Sequence, residues 1–342
     1  MSTLLMVSDA WHPQVNGVVT TLQITIDRLT RMGVNVATLT PEGFRTVPLP
    51  TYSEIRLTVA SPSKIRRRID DIAPDYVHIA TEGPLGMMAR KWCLINDQPY
   101  TTSYHTRFPE YIAARAPVPL NWSYSFVRRF HNAGAGCMVS NGTLERSLSE
   151  RGFTNLYRWV RGVDHEFFRP DVPPALDLPG PVFMYVGRVS VEKNIEAFLK
   201  LDLPGTKVVV GGGPALEDMK SRYRDVVFTG PKLGQELVAH YTSADVFVFP
   251  SLTDTWGLVL LEAMAAGVPV AAFPIMGPID VVGTSECGAL DTDLRKAALA
   301  ALDIPRDRCR AYAETFSWDA SAEQFFQNVL AANQSARTAD AA

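Results

Sequence analysis

The stretch that most clearly indicates the fold is VFVFPSLTDTWGLVLLEAMAAG, residues 246–267. Its first four residues form an apolar run of strand length, residues 255–257 suit a turn, and the apolar residues after them predict a helix. A helix directly after a buried strand is typical of a parallel sheet, because parallel neighbours need a crossover connection. Residues 246–267 therefore predict one βα unit of an α/β domain.

The same alternation of strand and helix patterns recurs along both halves of the chain. Strands are predicted in the first half at residues 4–8, 34–39, 76–80, 100–104 and 136–140, and in the second half at residues 182–186, 207–210, 226–228, 246–249 and 268–273. Helical patterns such as residues 18–32 and 84–95 lie between them. This repetition predicts two Rossmann-like domains, each a doubly wound parallel sheet covered by helices.

A proline-rich segment separates the halves, since residues 168–181 contain five prolines and cannot form a long helix or a central strand. We predict an N-terminal domain over residues 1–165, a linker over 166–181, and a C-terminal domain over 182–335 whose last helix can pack back on the first domain. Ligands of open parallel sheets bind beyond the carboxyl ends of the strands. We therefore expect the domains to face each other across a cleft that holds the active site.

Composition and charge exclude several classes of protein. No run of about 18 uncharged apolar residues predicts a membrane span, residues 1–10 lack a signal-peptide pattern, and the four cysteines lack the spacing of disulfides or a zinc site. Residues 1–160 contain 17 Lys and Arg against 12 Asp and Glu, whereas the remainder contains 16 against 24. The basic half indicates a phosphate-bearing substrate or an anionic membrane surface, although ordinary solvated charge explains the same bias. We expect a cytoplasmic protein, peripheral on the inner face of the plasma membrane, with no nucleic-acid partner.

Charged side chains follow two strands of the C-terminal half. Asp254 lies in the turn after the strand at 246–249, and Glu262 lies about two turns into the next helix, among small residues. In GRVSVEKN, residues 187–194, Arg188 and Lys193 lie near a helix start, where a guanidinium and an ammonium can neutralise a diphosphate. Solvated surface charge is the alternative interpretation.

Two segments of the N-terminal half also follow strands. Asn16-Gly17 in DAWHPQVNGVV, residues 9–19, lets a phosphate approach the backbone, although any Rossmann-like domain has such a turn. His105 in SYHTRFPEY, residues 103–111, follows a strand end and is expected to point into the cleft, although a single His is more often structural.

Together these segments resemble the retaining glycosyltransferases of family four, which have the GT-B fold. Asp254 and Glu262 resemble the family's acidic pair, with Asp in place of the Glu of many members, and Arg188 and Lys193 resemble its Gly-Arg-x4-Lys pattern. The resemblance implies that Asp254 contacts hydroxyls of the donor sugar, that Glu262 binds the nucleotide ribose, and that the two cations bind the diphosphate. It also implies that His105 positions the donor sugar and supports the transition state without acting as a general base.

The resemblance assigns the site residues to three groups. The catalytic group is His105, Asp254, Arg188 and Lys193. The donor and nucleotide group is Gly17, Arg188, Lys193, Gly212, Pro231, Lys232, Asp254, Thr255, Trp256, Gly257, Leu258 and Glu262. The acceptor group is Asn16, Tyr104 and Arg107.

The motifs also resemble those of bacterial enzymes that glycosylate diacylglycerol or its glycolipids, and this implies a lipid acceptor. The expected reaction transfers a hexose from a UDP-sugar or GDP-mannose with retention of configuration, the leaving diphosphate assisting deprotonation of the acceptor. The basic residues 64–68 and the stretch 111–130, with Arg115, Trp122 and Phe126, are candidates for the acceptor and membrane side. A packed amphipathic helix explains the periodicity of that stretch equally well.

Other classes of protein fit less well. An NAD-dependent oxidoreductase needs G-x-G-x-x-G after its first strand, and neither half has it. A metal-dependent transferase needs an Asp-x-Asp loop, but Asp291-Thr292-Asp293 suits a helix cap, so we predict no metal or other cofactor. A non-hydrolysing nucleotide-sugar epimerase of the same fold and a non-catalytic nucleotide-sugar-binding subunit remain alternatives.

Overall fold

The computed structural model describes residues 2–14, 16–49, 52–113 and 118–340. Its internal contacts divide the chain into two compact units. Unit 1 comprises Met1–Arg161 together with Trp318–Ala342, and unit 2 comprises Gly162–Ser317.

Each unit contains a six-stranded sheet in which every neighbouring pair is parallel. The strands of unit 1 are β1 (Thr3–Val7), β2 (Asn35–Leu39), β3 (Arg45–Leu49), β4 (Tyr52–Val59), β5 (Tyr76–Ile79), β6 (Tyr100–Ser103), β7 (Gly136–Val139) and β8 (Leu156–Arg158). Those of unit 2 are β9 (Val182–Val186), β10 (Thr206–Val210), β11 (Val227–Gly230), β12 (Val246–Phe249), β13 (Val270–Ala272) and β14 (Gly288–Leu290). The sheet orders are β2-β1-β5-β6-β7-β8 and β11-β10-β9-β12-β13-β14, and β3 and β4 form a separate antiparallel pair.

Helices connect the strands. Those of unit 1 are α1 (Gly17–Arg31), α2 (Pro62–Ile72), α3 (Pro84–Ile95), α4 (Phe108–Ala113), α5 (Leu120–Asn132) and α6 (Gly142–Ser149). Those of unit 2 are α7 (Ile195–Leu199), α8 (Leu216–Arg222), α9 (Gly234–Thr242), α10 (Leu258–Ala265), α11 (Pro278–Val281), α12 (Leu294–Ala301) and α13 (Arg306–Ala313). The last helix, α14 (Trp318–Asp340), belongs to unit 1.

The two faces of the unit 1 sheet carry separate apolar clusters, because successive side chains of a strand point to opposite faces. Leu5 and Val7 of β1 pack in one cluster with residues of α2 and α3. Leu4 and Met6 pack in the other with residues of α1 and with Phe325 of α14. β1 is therefore covered by helices on both sides, which explains its continuous apolar sequence.

The predicted fold class is confirmed, and the predicted strands correspond to β1, β2, β5, β6, β7 and β9–β13. The prediction missed β3, β4, β8 and β14. β8 and β14 contain no fully buried residue and so lack the apolar run that marks β13, which is equally short. The β3–β4 pair includes charged residues such as Arg45 and Arg56. The four cysteines are buried and free. No helix in the described ranges combines the length and hydropathy needed to cross a bilayer.

The units divide the chain differently from the predicted domains in the segment between the two sheets. The segment 166–181, predicted as a linker, lies within unit 2, where the Ala175 N–H donates to Ser243 Oγ at 3.0 Å. α14, the last helix, for which the prediction allowed packing on the first domain, belongs to unit 1. Helical periodicity indicates that α14 covers a sheet, but it carries no information about which sheet.

Each parallel sheet has one point at which its strand order reverses. This switch point lies between β1 and β5 in unit 1 and between β9 and β12 in unit 2. Loops that diverge from a switch point leave a crevice beyond the carboxyl ends of the strands, where ligands bind in such folds. In unit 2 these loops are residues 187–194 and 250–257, which contain the predicted diphosphate and sugar residues.

Candidate active site

Two hydrogen bonds fix the loop after β9. The Tyr185 hydroxyl donates to the Arg188 carbonyl at 2.9 Å, and Asn194 Nδ2 donates to the Pro250 carbonyl in the loop after β12 at 3.0 Å. Arg188 and Lys193 are both half-buried. The loops on the two sides of the switch point are thereby held together.

Lys193 and Asp254 meet at this point although 61 positions separate them in the sequence. Lys193 Nζ lies 2.5 Å from Asp254 Oδ1, and the side chains are 27% and 22% exposed. Within the described ranges, Asp254 Oδ2, Ser190 Oγ and Trp256 Nε1 are buried and have no hydrogen-bond partner. Buried polar atoms are normally bonded, so these loops are suited to receive the polar groups of a ligand.

The start of α10 is shaped by Gly257, whose φ of +85° is in the left-handed region that favours glycine. Trp256 before it is buried, with its ring 6.3 Å from that of Phe316. Thr255 and Leu258 are half-buried on either side of this turn. The predicted donor segment 254–258 therefore forms one compact strand-to-helix turn.

Glu262 lies further along α10 and is also half-buried. The Tyr241 hydroxyl on α9 donates to Glu262 Oε2 at 2.8 Å. Burial raises the pKa of Glu262 to about 7, and the hydrogen bond from Tyr241 partly opposes this increase. The sequence did not single out Tyr241, because nothing in the spacing of α9 relates it to α10.

The loops after β10 and β11 lie beside the loop after β9. The Val189 N–H donates to the Gly212 carbonyl at 2.8 Å, and a Cβ on Gly212 would lie 3.6 Å from the Pro231 ring. Gly212 and Pro231, both predicted in the donor and nucleotide group, are thus neighbours. The Lys232 ammonium pairs with Glu236, so its charge is directed along α9.

In unit 1, His105 lies against a buried arginine that the sequence did not single out. The Arg161 guanidinium lies 3.7 Å from the centroid of the Trp159 ring, and Nη2 donates to His105 Nδ1 at 3.4 Å. Because a guanidinium only donates, His105 Nδ1 is the acceptor and the ring proton lies on Nε2. Burial and the Arg161 charge lower the pKa of His105 well below its ordinary value, while burial lowers that of Arg161 to about 9. A neutral His105 with a proton on Nε2 is a hydrogen-bond donor.

Asn16 and Gly17 lie at the start of α1. Asn16 Oδ1 accepts hydrogen bonds from the N–H groups of Val18 and Val19 at 3.0 and 3.1 Å, which makes Asn16 the N-cap. Gly17 is the first residue of the helix. Val15, in the same motif, lies outside the described residues. Asn16 thus has a structural role as the N-cap of α1, and its role at the acceptor remains a prediction.

The other acceptor candidates have partners inside unit 1. Tyr104 is buried, with its ring 5.9 Å from that of Phe153. Arg107 pairs with Glu110, whose Oε1 also accepts from the Tyr124 hydroxyl at 2.6 Å. The structure does not bring Tyr104 and Arg107 together with Asn16 through any contact it describes.

Asp9 is a buried carboxylate in the loop after β1 that the sequence assigned no role. Its oxygens accept from the N–H groups of Leu85 at 2.8 Å and Gly86 at 3.2 Å, and from Thr81 Oγ1 at 3.1 Å. A Cβ on Gly83 would lie 2.4 Å from Asp9 Cγ. Asp9 therefore stabilises the start of α3 and joins the two loops at the unit 1 switch point.

The basic and aromatic candidates lie on two helices. Lys64 and the three arginines after Ile65 are exposed on α2, whereas Ile65 itself is buried. On α5, Trp122 is 73% exposed and Phe126 is 54% exposed. Arg115 lies outside the described residues. Both the packed helix and the exposed aromatic face expected of the stretch 111–130 are thus present in α5.

The Asp291-Thr292-Asp293 string forms the predicted cap. Asp293 Oδ1 accepts from the N–H groups of Arg295 and Lys296 at the start of α12. Across the described ranges, no three His, Cys, Asp or Glu side chains cluster in a way that could hold a metal ion.

Two family models match the chain, one in each half. Residues 15–167 match the model described as Glycosyltransferase Family 4, and residues 180–304 match the model described as Glycosyl transferases group 1. Among curated relatives, Arabidopsis thaliana sulfoquinovosyl transferase SQD2 is 32% identical over 72% of this chain and 52% of its own length. The chain thus spans about half of SQD2.

Other relatives match over most of their length. A GDP-mannose-dependent alpha-mannosyltransferase of Mycobacterium tuberculosis is 27% identical over 83% of this chain and 82% of its own. The alpha-monoglucosyldiacylglycerol synthase of Streptococcus pneumoniae is 25% identical over 94% and 83%. Sucrose-phosphate synthase from Thermosynechococcus elongatus has a similar structure, with a TM-score of 0.73, 20% identity and coverage of 96% of this chain and 98% of its own.

The structural similarity identifies the GT-B fold, and the family models and relatives identify a glycosyltransferase, an enzyme that transfers a sugar from a nucleotide sugar. The chain belongs to glycosyltransferase family 4. The resemblance inferred from the motifs is confirmed, and the enzyme is a glycosyltransferase.

Proposed function

We propose that this glycosyltransferase transfers a hexose from a UDP-sugar or GDP-mannose to a lipid acceptor, such as diacylglycerol or a glycosyl-diacylglycerol, with retention of configuration. The proposed binding of a nucleotide sugar rests on the contact between the two loops at the unit 2 switch point. There Lys193 Nζ lies 2.5 Å from Asp254 Oδ1, while Asp254 Oδ2 is buried without a partner among the described residues. A cation beside such a carboxylate suits a diphosphate next to sugar hydroxyls.

The charges of unit 2 suggest how the bond to the leaving group breaks. Arg188 and Lys193 stabilise the diphosphate as it leaves the anomeric carbon. A diphosphate oxygen accepts the proton of the acceptor hydroxyl, whose oxygen bonds to the anomeric carbon on the same face. His105, neutral and protonated on Nε2, is suited to donate to a sugar hydroxyl rather than to remove a proton. Because protein cations carry this charge, the reaction needs no metal, and turnover should be unchanged in excess EDTA.

Replacement of either cation tests the donor site. Arg188→Ala or Lys193→Ala should lower kcat about 100-fold, since each cation contributes about 3 kcal/mol to the stabilisation of the leaving group. Lys200→Ala is the matched control, because Lys200 is exposed at the end of α7 and pairs with Glu196. Near-normal rates in both site variants would exclude the diphosphate assignment, and an inverted product anomer would exclude retention.

Nucleotide binding identifies the donor base. UDP, GDP, UDP-sugars and GDP-mannose are compared by thermal unfolding, and a ligand at 100 times its Kd should add about 2.7 kcal/mol to the free energy of unfolding. A shift with one base and not the other names the donor. No shift with either base contradicts the proposed donor.

The exposed aromatic face of α5 supports a lipid acceptor at an anionic membrane surface. Trp122 and Phe126 are one helical turn apart and exposed, and Arg128 and Arg129 follow them on the same helix. The diacylglycerol named for one relative supports the same class of acceptor.

Vesicle flotation tests this surface. The double variant Trp122→Ser/Phe126→Ser should bind vesicles that contain phosphatidylglycerol at least tenfold more weakly, because two large apolar side chains no longer enter the bilayer. Leu233→Ser, which changes a side chain that is 70% exposed in unit 2, is the control. Equal binding by the control and the double variant would exclude α5 as the contact.

A further inference from the structure

Tyr241 contacts the one carboxylate that α10 contributes to the site. It is fully buried on α9, and its ring lies 5.8 Å from that of Phe168 and 5.9 Å from that of Phe247. Its hydroxyl donates to Glu262 Oε2 at 2.8 Å. A packed aromatic ring has few rotamers, so the hydroxyl is held in one place.

Glu262 has little else to orient it. Its neighbours on α10, among them Leu261 and Ala263, are buried and apolar. Within the described ranges, no Lys, Arg or His pairs with the Glu262 carboxylate, and Tyr241 is its only side-chain hydrogen-bond donor. One carboxylate oxygen is therefore occupied by Tyr241, and Oε1 is left for a ligand.

We propose that Tyr241 is a positioning residue, which holds the Glu262 carboxylate so that it accepts hydrogen bonds from the ribose hydroxyls of the donor nucleotide. The inference rests on the proposed function, together with the ribose-binding role that the family resemblance implies for Glu262. Without Tyr241 the carboxylate rotates among several rotamers, and the contribution of the ribose hydroxyls to binding is lost. Tyr241 thus supports the preference of the site for ribonucleotides.

Calorimetry of Tyr241→Phe tests the proposal with UDP, GDP and their 2′,3′-dideoxy analogues. For whichever base binds, wild type should prefer the ribonucleotide about tenfold or more, since hydrogen bonds to a charged group contribute this much. In Tyr241→Phe the ribonucleotide should bind about tenfold more weakly, while the affinity for the dideoxy analogue is unchanged. The ratio of the Kd of the dideoxy analogue to the Kd of the ribonucleotide should therefore approach one. A merely structural role would weaken both ligands equally.

Two comparisons separate the possible failures. Tyr312→Phe removes a similar hydroxyl, which donates to the Val281 carbonyl at 2.9 Å, and should leave the ratio unchanged. Tyr241→Met, which removes the hydroxyl that donates to Glu262 but keeps a long apolar side chain, should reduce the ratio as Tyr241→Phe does, and it replaces that variant if Tyr241→Phe does not fold. A ratio near one in wild type would overturn the ribose assignment of Glu262 itself. If Tyr241→Phe keeps the wild-type ratio but Glu262→Gln loses it, the positioning role of Tyr241 is overturned, while the ribose-binding role of Glu262 stands.

Discussion

At the scale of single residues, Glu262 has an ionisation state that ligand binding should change. Burial raises its pKa to about 7, so the carboxyl is partly protonated at neutral pH. Ribose hydroxyls donate to the ionised form, so a bound nucleotide favours the carboxylate. Donor binding and the release of a proton from Glu262 are therefore coupled.

This coupling predicts a pH dependence of donor affinity. The Kd of UDP-glucose or GDP-mannose, whichever binds, should rise as the pH falls from 8 to 6, approaching about tenfold per pH unit below 7 because the carboxyl must lose its proton. These nucleotide sugars carry no group of their own that titrates in this range. Calorimetry on wild type and Glu262→Gln measures the effect. The same slope in both proteins would rule out Glu262 as its source.

The same carboxyl makes stability depend on pH with a defined sign. The folded-state pKa is above that of the unfolded chain, so the folded protein binds more protons between about pH 4.5 and 7 and loses stability as the pH rises through that range. Glu262→Gln should therefore be more stable than wild type at pH 8, by up to about 3 kcal/mol, and should lose this advantage near pH 4.5. Urea unfolding of both proteins at the two pH values measures the difference, and an equal difference at both would contradict it.

His105 owes part of its neutrality to Arg161. Burial is the larger cause of its lowered pKa, followed by Arg161 and by the neighbouring His78 and His131. Arg161→Met should therefore raise the pKa of His105, and an NMR titration of the ring should move to higher pH. Arg158→Met, which removes an exposed arginine paired with Glu145, should not move it. Identical titrations in wild type and Arg161→Met would show that burial alone keeps His105 neutral.

At the scale of elements, the start of α3 depends on a side chain from another loop. Gly83 precedes α3 and offers no side chain to cap it, and Asp9 accepts the N–H groups of Leu85 and Gly86 instead. Asp9→Ala should lower the free energy of unfolding by about 2 kcal/mol, because it leaves these buried donors without a partner. Urea denaturation measures the change. Asp27→Ala, at an exposed position paired with Arg31, is the control and should have little effect. An equally small effect of Asp9→Ala would contradict the capping role.

At the scale of the whole molecule, the last segment of the chain completes the first unit. Phe325 of α14 is buried, with its ring 4.6 Å from that of Trp159 and 4.7 Å from that of His78. The core of unit 1 therefore needs residues from both ends of the chain, whereas the core of unit 2 comes from one continuous segment.

Phe325→Ala should cost unit 1 about 3–5 kcal/mol and leave unit 2 unchanged. Calorimetric unfolding should show one transition at a lower temperature and the other at its wild-type position. Phe326→Ala, at a half-buried site against Tyr76, should shift the unfolding transition of unit 1 less than Phe325→Ala does. Equal shifts of both transitions in Phe325→Ala would contradict the assignment of α14 to unit 1.

The amino-acid sequence by itself determined the features that depend on local pattern. Apolar runs of strand length, each followed by a helical period, predict the parallel sheets and place the segments 187–194 and 250–257 directly after strands. The positions of Arg188, Lys193, Asp254 and Glu262 within those βα units were predictable for the same reason. Each of these signals lies within a single βα segment of the sequence.

The tertiary structure decided which residues of different βα segments contact one another. The bond from Tyr241 to Glu262, the contact of Arg161 with His105 and the capping of α3 by Asp9 join positions far apart in sequence. So does the packing of α14 on unit 1. Periodicity records that a side chain is buried but not what it is buried against, because many partners satisfy the same apolar face. Those contacts become visible only when the packing of the whole chain selects one partner for each.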